Sequence, residues 1–204
     1  WPPGEHSLVR GGRALQRLAH WHLAAAAAIR PAVPDLLLGV AKHWIDFVPL
    51  DERHKGHVLG ARLQDSAFNR YYLDRTVQAS DFIGLNYYSR SYATGPVTRM
   101  PVRRADDPHT AMGWSIAPDG LLSALRRLAA YQLPILITEN GIATDDDSER
   151  QSYLLSHLGA VRDALREGVP VVGYQHWSLL DNFEWAEGYW PKFGLVAVDR
   201  TTLE

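Results

Sequence analysis

Four short apolar runs, each separated from the next by a helical pattern, constrain this chain more than any other feature. The runs are Leu36 to Ala41, Asp81 to Asn86, Ile135 to Ile137 and Val171 to Trp177. Runs this short and this apolar read as strands buried on both faces, as in a parallel sheet. Helical periodicity precedes each of them. Gly12 to Arg30 places Leu15, Leu18, Ala19, His22 and Leu23 on one face, and Pro31 and Pro34 are expected to stop it. His57 to Gln78 places Leu59, Leu63, Ala67, Tyr71 and Val77 inward. Pro118 to Tyr131 buries Leu121, Leu122, Leu125 and Leu128. Asp145 to Ser148 supplies the cap of a fourth helix, whose stripe is Leu154, Leu155, Leu158, Val161 and Leu165, with Gly168 just past its end. The order α-β-α-β-α-β-α-β predicts parallel strands joined by right-handed crossovers.

Between these elements Lys42 to Lys55 reads as a polar and aromatic loop, and Tyr87 to Ala117 as a long one. A loop of that length in a compact domain is usually functional. Leu195 to Val198 reads as a last extended run.

No strand is followed by a glycine-rich phosphate fingerprint, which argues against a dinucleotide-binding sheet. The chemistry-bearing residues sit instead at strand C-termini: Asn86-Tyr87-Tyr88, Glu139 and Trp177. That is where an α/β barrel presents its active site. Four strands make about half of an eight-stranded barrel, with two open edges. The chain begins Trp1-Pro2-Pro3-Gly4 and ends just after a strand-like run, so both ends are expected to be cuts inside a larger protein.

Composition narrows the function classes. At 204 residues, 46% hydrophobic and 22% charged, one globular domain is expected. A net charge of -2 implies no polyanion, so nucleic acid is not an expected partner. The longest apolar run, Leu23 to Ile29, is too short to span a bilayer. With no cysteine, neither a disulfide framework nor a thiolate zinc site is possible. That allows a reducing compartment, and a cytoplasmic location is the expectation. Seven tryptophans and nine tyrosines supply flat faces that suit sugar rings, although they also fill cores. A carboxylate such as Glu139 can attack an anomeric carbon, a tyrosine can hold it, a tryptophan can stack on the ring and a second carboxylate can take hydroxyls.

Three stretches carry a family resemblance: Asp81-Phe-Ile-Gly-Leu-Asn-Tyr-Tyr88, Ile137-Thr-Glu-Asn-Gly141 and His176-Trp-Ser-Leu-Leu-Asp-Asn-Phe-Glu-Trp185. Pro191-Lys-Phe-Gly-Leu-Val196 follows them. With these the chain resembles, nearly throughout from Gly12 on, the C-terminal half of a glycoside hydrolase family 1 enzyme. The resemblance implies a (β/α)8 TIM barrel, about four βα units of which are present in residues 1–204. It implies hydrolysis of β-glucosides or β-galactosides with retention, and no cofactor or metal. By the same resemblance Glu139 is the nucleophile and Tyr88 orients it. Asn86, Trp177, Glu184, Trp185 and Phe193 contact the sugar, with Trp177 stacking under it and Glu184 and Trp185 gripping its far hydroxyls. A carboxylate at 184 favours an unphosphorylated sugar.

Three departures from the family pattern stand out. The acid/base glutamate is missing and is expected upstream of residue 1. Glu5 is no substitute, because it lies in a segment that resembles a downstream loop. The N-terminal half of the barrel is therefore an expected partner. The segment between Leu73 and Asp81 is short, and His176 stands where a tyrosine is frequent.

Other clusters read as bland. Asp51, Glu52, His54 and His57 form a solvated loop with no ligand spacing for a metal. Arg99, Arg103 and Arg104 read as loop solvation. A non-catalytic carbohydrate-binding or interaction half-barrel remains the alternative function.

Overall fold

The computed structural model describes residues 7–95 and 102–202. Glu5, Pro96, Arg99 and Pro101 lie outside the described residues. Four parallel strands form one sheet in sequence order: β1 (Gly39–Pro49), β2 (Phe82–Ala93), β3 (Ile135–Asn140) and β4 (Val171–His176). α1 (Leu8–Ala32) precedes β1. α2 (Lys55–Asp65) and α3 (Tyr71–Thr76) connect β1 to β2, α4 (Pro118–Ala129) connects β2 to β3, and α5 (Asp147–Arg166) connects β3 to β4. The alternation expected from the apolar runs is present.

Several boundaries and faces differ from expectation. The segment read as a loop from Lys42 is strand as far as Pro49, and β2 continues to Ala93. Neither extension is a continuous apolar run: His43 lines the cleft, Lys42 lies over the Phe68 ring, and Asp46 is buried in an ion pair with Arg90 at 2.8 Å. α1 starts at Leu8, capped by Ser7, and Pro31 fits inside its last turn. The single helix expected over 57–78 is broken by a π-helical turn, Ser66–Arg70. The break has a cause in Asn69, which is fully buried. Its Oδ1 accepts from Ile45 N (3.1 Å) and its Nδ2 donates to Ile45 O (2.8 Å) and to Asp65 Oδ1 (2.7 Å). Ile45 lies where the β1–β2 register slips, so Asn69 satisfies backbone groups that a bulge disturbs.

The helix faces also differ. Leu59, Leu63, Leu155, Leu158 and Leu165 are exposed, while α5 buries Arg150, Tyr153, His157, Ala160, Val161 and Ala164. Small residues let the helix approach closely, and Arg150 and Tyr153 are buried with hydrogen bonds to Ile142 O, Thr144 O and Asn140, while His157 bonds through Nδ1 alone. Leu195 to Val198 forms no strand; it runs beside 178–180, with a parallel bridge between Val196 and Leu180 and bonds from Leu195 N to Ser178 O and from Val196 N to Leu179 O.

Two apolar clusters result. The larger lies between sheet and helices: Ile83, Leu85, Tyr87, Ile135 and Ile137 pack on Leu121, Leu125, Leu128, Val161 and Ala164. The smaller comprises Tyr88, Ala143 and Phe193, with Met112, Trp114 and Trp177 against them. Alternation along β2 sends Tyr87 to the first and Tyr88 to the second. Among the described residues no helix is long and apolar enough to cross a membrane.

Candidate active site

The strand tips converge on a cleft of about 650 Å³. Glu139, near the end of β3, and Tyr88, on β2, meet there, the Tyr88 hydroxyl donating to Glu139 Oε2 at 2.8 Å. The β1–β2 register places Trp44 opposite Tyr87 and Ile45 opposite Ser89, so Tyr88 is the residue without a ladder partner. Such a bulge re-aims a side chain. Tyr88 is 9% exposed. Burial first, then the Glu139 carboxylate, raises its phenol well above the ordinary tyrosine range, so it stays protonated and a donor.

Asn140 fixes this tip. Its side chain is fully buried and reaches three elements. Nδ2 donates to Tyr87 O (2.7 Å) and to the Tyr153 hydroxyl (2.8 Å), and Oδ1 accepts from the Tyr174 hydroxyl (2.9 Å). Its backbone carbonyl accepts from Trp177 N at 3.0 Å. One residue thereby ties the neighbours of Tyr88 and the backbone of Trp177 to the neighbour of Glu139. Glycine follows because the β3 and β4 exits touch: a Cβ on Gly141 would lie 1.8 Å from Trp177 O. Arg150 supports the loop beyond, donating to Ile142 O, Thr144 O and Lys192 O at 3.1, 2.7 and 3.3 Å.

Trp177, Glu184, Trp185 and Phe193 line the same cleft. Ser178 N donates to Phe193 O (3.1 Å), which draws the two ends of that loop together. Asn182 Nδ2 donates to Glu184 at 2.9 Å. Phe193 is 1% exposed and Trp185 66% exposed, so the first is a buried wall and the second an exposed edge of the cleft. His176 is half-buried, and burial, then the Arg150 charge, lowers its pKa.

Six of the seven site residues expected from the sequence therefore share one cleft. Asn86 is not among the side chains that line it. It pairs in register with Glu139 on the neighbouring strand, and its Oδ1 accepts from Thr138 at 2.5 Å. Sequence reading missed His43, Arg103, Met112, Trp114, Glu187 and Trp190, which also line the cleft. Trp114 packs on Tyr88 and Phe193 with ring centroids 5.6 and 6.3 Å away. Arg103, read as loop solvation, is part of the wall. His54 caps α2 and stacks on His57 at 4.1 Å. Among the described residues no group of three or more histidines and carboxylates could hold a metal.

A parallel sheet with helical crossovers and a carboxylate in an aromatic cleft at its C-terminal edge is the arrangement of the α/β-barrel class of enzymes. Within that class the chain belongs to glycosyl hydrolase family 1, whose family model matches residues 53–204. It is 33% identical over 244 residues to Beta-glucosidase A of Thermotoga maritima, covering 98% of this chain and 54% of that protein. It is 41% identical over 134 residues to the chloroplastic Galactolipid galactosyltransferase SFR2 of Arabidopsis thaliana, covering 64% of this chain and 21% of that one. The solved family 1 β-glucosidase from Thermotoga maritima in complex with glucoimidazole superposes with a TM-score of 0.88 at 33% identity. That match takes in 100% of this chain and 55% of the solved one. The four-stranded sheet is thus half of a (β/α)8 barrel, and the chain spans about half the length, or less, of these relatives.

Proposed function

We infer that the protein to which these residues belong hydrolyses terminal β-glycosides of the glucose or galactose type with retention of configuration. The hydrogen bond from Tyr88 to Glu139 at the β3 tip carries this reading. Glu139 attacks the anomeric carbon, the bond from that carbon to the leaving oxygen breaks, and a glycosyl ester forms on Glu139. Water then attacks the same carbon and releases the sugar. The Tyr88 hydrogen bond aims the carboxylate. Trp177 offers a stacking face, Glu184, Trp185 and Phe193 close around the sugar, and Asn86, which lies beside Glu139 in register but outside the cleft lining, would meet a hydroxyl only through its amide nitrogen, since its Oδ1 accepts from Thr138.

Retention also needs an acid/base carboxyl about 5–5.5 Å from the nucleophile. We assign it to the remaining strands of the barrel, outside these 204 residues. The test uses the complete barrel protein and a fluorinated-sugar substrate that forms the intermediate faster than it breaks down. Mass spectrometry of the digested protein should find the sugar on the peptide holding Glu139. Label elsewhere, with normal turnover, overturns the assignment.

A second reading has a specific support in the 41% identity to the galactolipid galactosyltransferase. In this reading a sugar hydroxyl takes the place of water as the acceptor for the same intermediate. Adding a sugar acceptor and measuring the ratio of transfer to hydrolysis separates the two.

A further inference from the structure

Arg103 lies between β2 and α4 and forms part of the cleft wall beside Met112 and Trp114. The backbone is shaped to seat it. Gly113 holds φ +71°, and a Cβ there would fall 2.5 Å from Arg103 Nη1. The positive φ calls for glycine, and the missing Cβ leaves the guanidinium room where it lies. Among the described residues this guanidinium makes one long hydrogen bond, 3.5 Å to Met112 O. Its neighbour Arg104 is committed elsewhere, donating to Leu50 O at 2.7 Å and lying 4.7 Å from the centroid of the Tyr92 ring.

The carboxylates of the cleft already have donors. Tyr88 serves Glu139, Asn182 serves Glu184, and the Trp190 indole serves Glu187 at 3.0 Å. Among the described residues Arg103 pairs with none of them. The cleft thus holds a cation that no carboxylate among the described residues pairs with.

The geometry points to Arg103 as the docking group for a negatively charged leaving group, so that β-glycosides with a carboxylate on the aglycone are preferred substrates. This rests on the glycosidase reading above and names the substrate class of the same site. An anion on the sugar itself would face Glu184 and Glu139 and be repelled. The wall that carries Arg103 also carries Trp114 and Met112, which suit an aryl or apolar aglycone. A guanidinium fork matches a carboxylate with two parallel hydrogen bonds.

The test compares para-nitrophenyl β-glucoside with its analogue bearing a ring carboxylate, in the complete barrel protein. The ratio of kcat/KM for the charged over the neutral substrate should exceed one. In Arg103→Gln it should fall about tenfold or more, since a charge-assisted pair is lost. Arg103→Lys, which keeps the charge and loses the fork, should fall between. A wild-type ratio at or below one overturns the proposal, and so does a ratio that Arg103→Gln leaves unchanged. If the variant fails to fold, the wild-type ratio decides alone. Failure of the glycosidase reading looks different, because neither substrate is then turned over.

Discussion

Tyr88 reaches Glu139 from a neighbouring strand, 2.8 Å from hydroxyl to carboxylate, because β2 bulges at that residue. The bond is charge-assisted, and removing it should be felt at the reaction centre. Tyr88→Phe should lower kcat/KM about 10- to 100-fold in the complete protein, the equivalent of about 1.5–3 kcal/mol. The ring still packs on Trp114 and Phe193, so the thermal midpoint should change little. Unchanged kinetics would show that the tyrosine does not act on the carboxylate.

Asn140 is the stability counterpart. Asn140→Ala would leave Tyr87 O and the Tyr153 and Tyr174 hydroxyls without their partner in a buried setting. A loss of about 2–4 kcal/mol in urea unfolding is expected, with about 1 kcal/mol for Tyr174→Phe. Equal, small losses from both would mean that water replaces the amide.

The strand tips were legible because buried parallel strands read as apolar runs and end at Gly, Pro or polar residues. Ile135 to Ile137 located Glu139, and Ile83 and Leu85 located Tyr88. The 42–49 part of β1 was not legible, since Lys42, His43 and Asp46 break the run. Nor was the buried face of α5. Leucine periodicity pointed to Leu155, Leu158 and Leu165, whereas Tyr153 and Arg150 face inward to partners outside the helix, Asn140 and the carbonyls of Ile142, Thr144 and Lys192, and His157 stacks beneath Tyr153. The roles of Arg103 and Trp114 depend on how the β2–α4 segment folds back over the cleft, which no local pattern encodes.

Stability should depend on pH through His157. The ring is fully buried against Tyr153, centroids 3.7 Å apart, with Nδ1 2.8 Å from Tyr153 O. Burial lowers its pKa to about 4. An unfolded histidine titrates near 6.5, so between these values the unfolded state binds more protons. The contribution is complete above about pH 6.5 and is lost as the pH falls toward 4. Urea midpoints should drop across that window, and less steeply in His157→Gln. Parallel curves for the two proteins would assign the dependence to other groups.

The 204-residue chain expressed alone should self-associate. β1 and β4 are open edges, and Leu37 and Val172 are 72% and 64% exposed. Unpaired edges and apolar surface recruit further copies. Sedimentation should show heterogeneous species, and unactivated β-glycosides should not be hydrolysed. A cooperative monomer that hydrolyses cellobiose would contradict both points.

The central claim is that Glu139 is the nucleophile, and chemical rescue tests it most directly. In the complete protein, Glu139→Gly should abolish hydrolysis of an aryl β-glucoside. Added azide should restore turnover and give the α-glycosyl azide, because the small anion attacks from the space the carboxylate vacated. Near-normal activity without azide, or a β-glycosyl azide with it, would contradict the assignment.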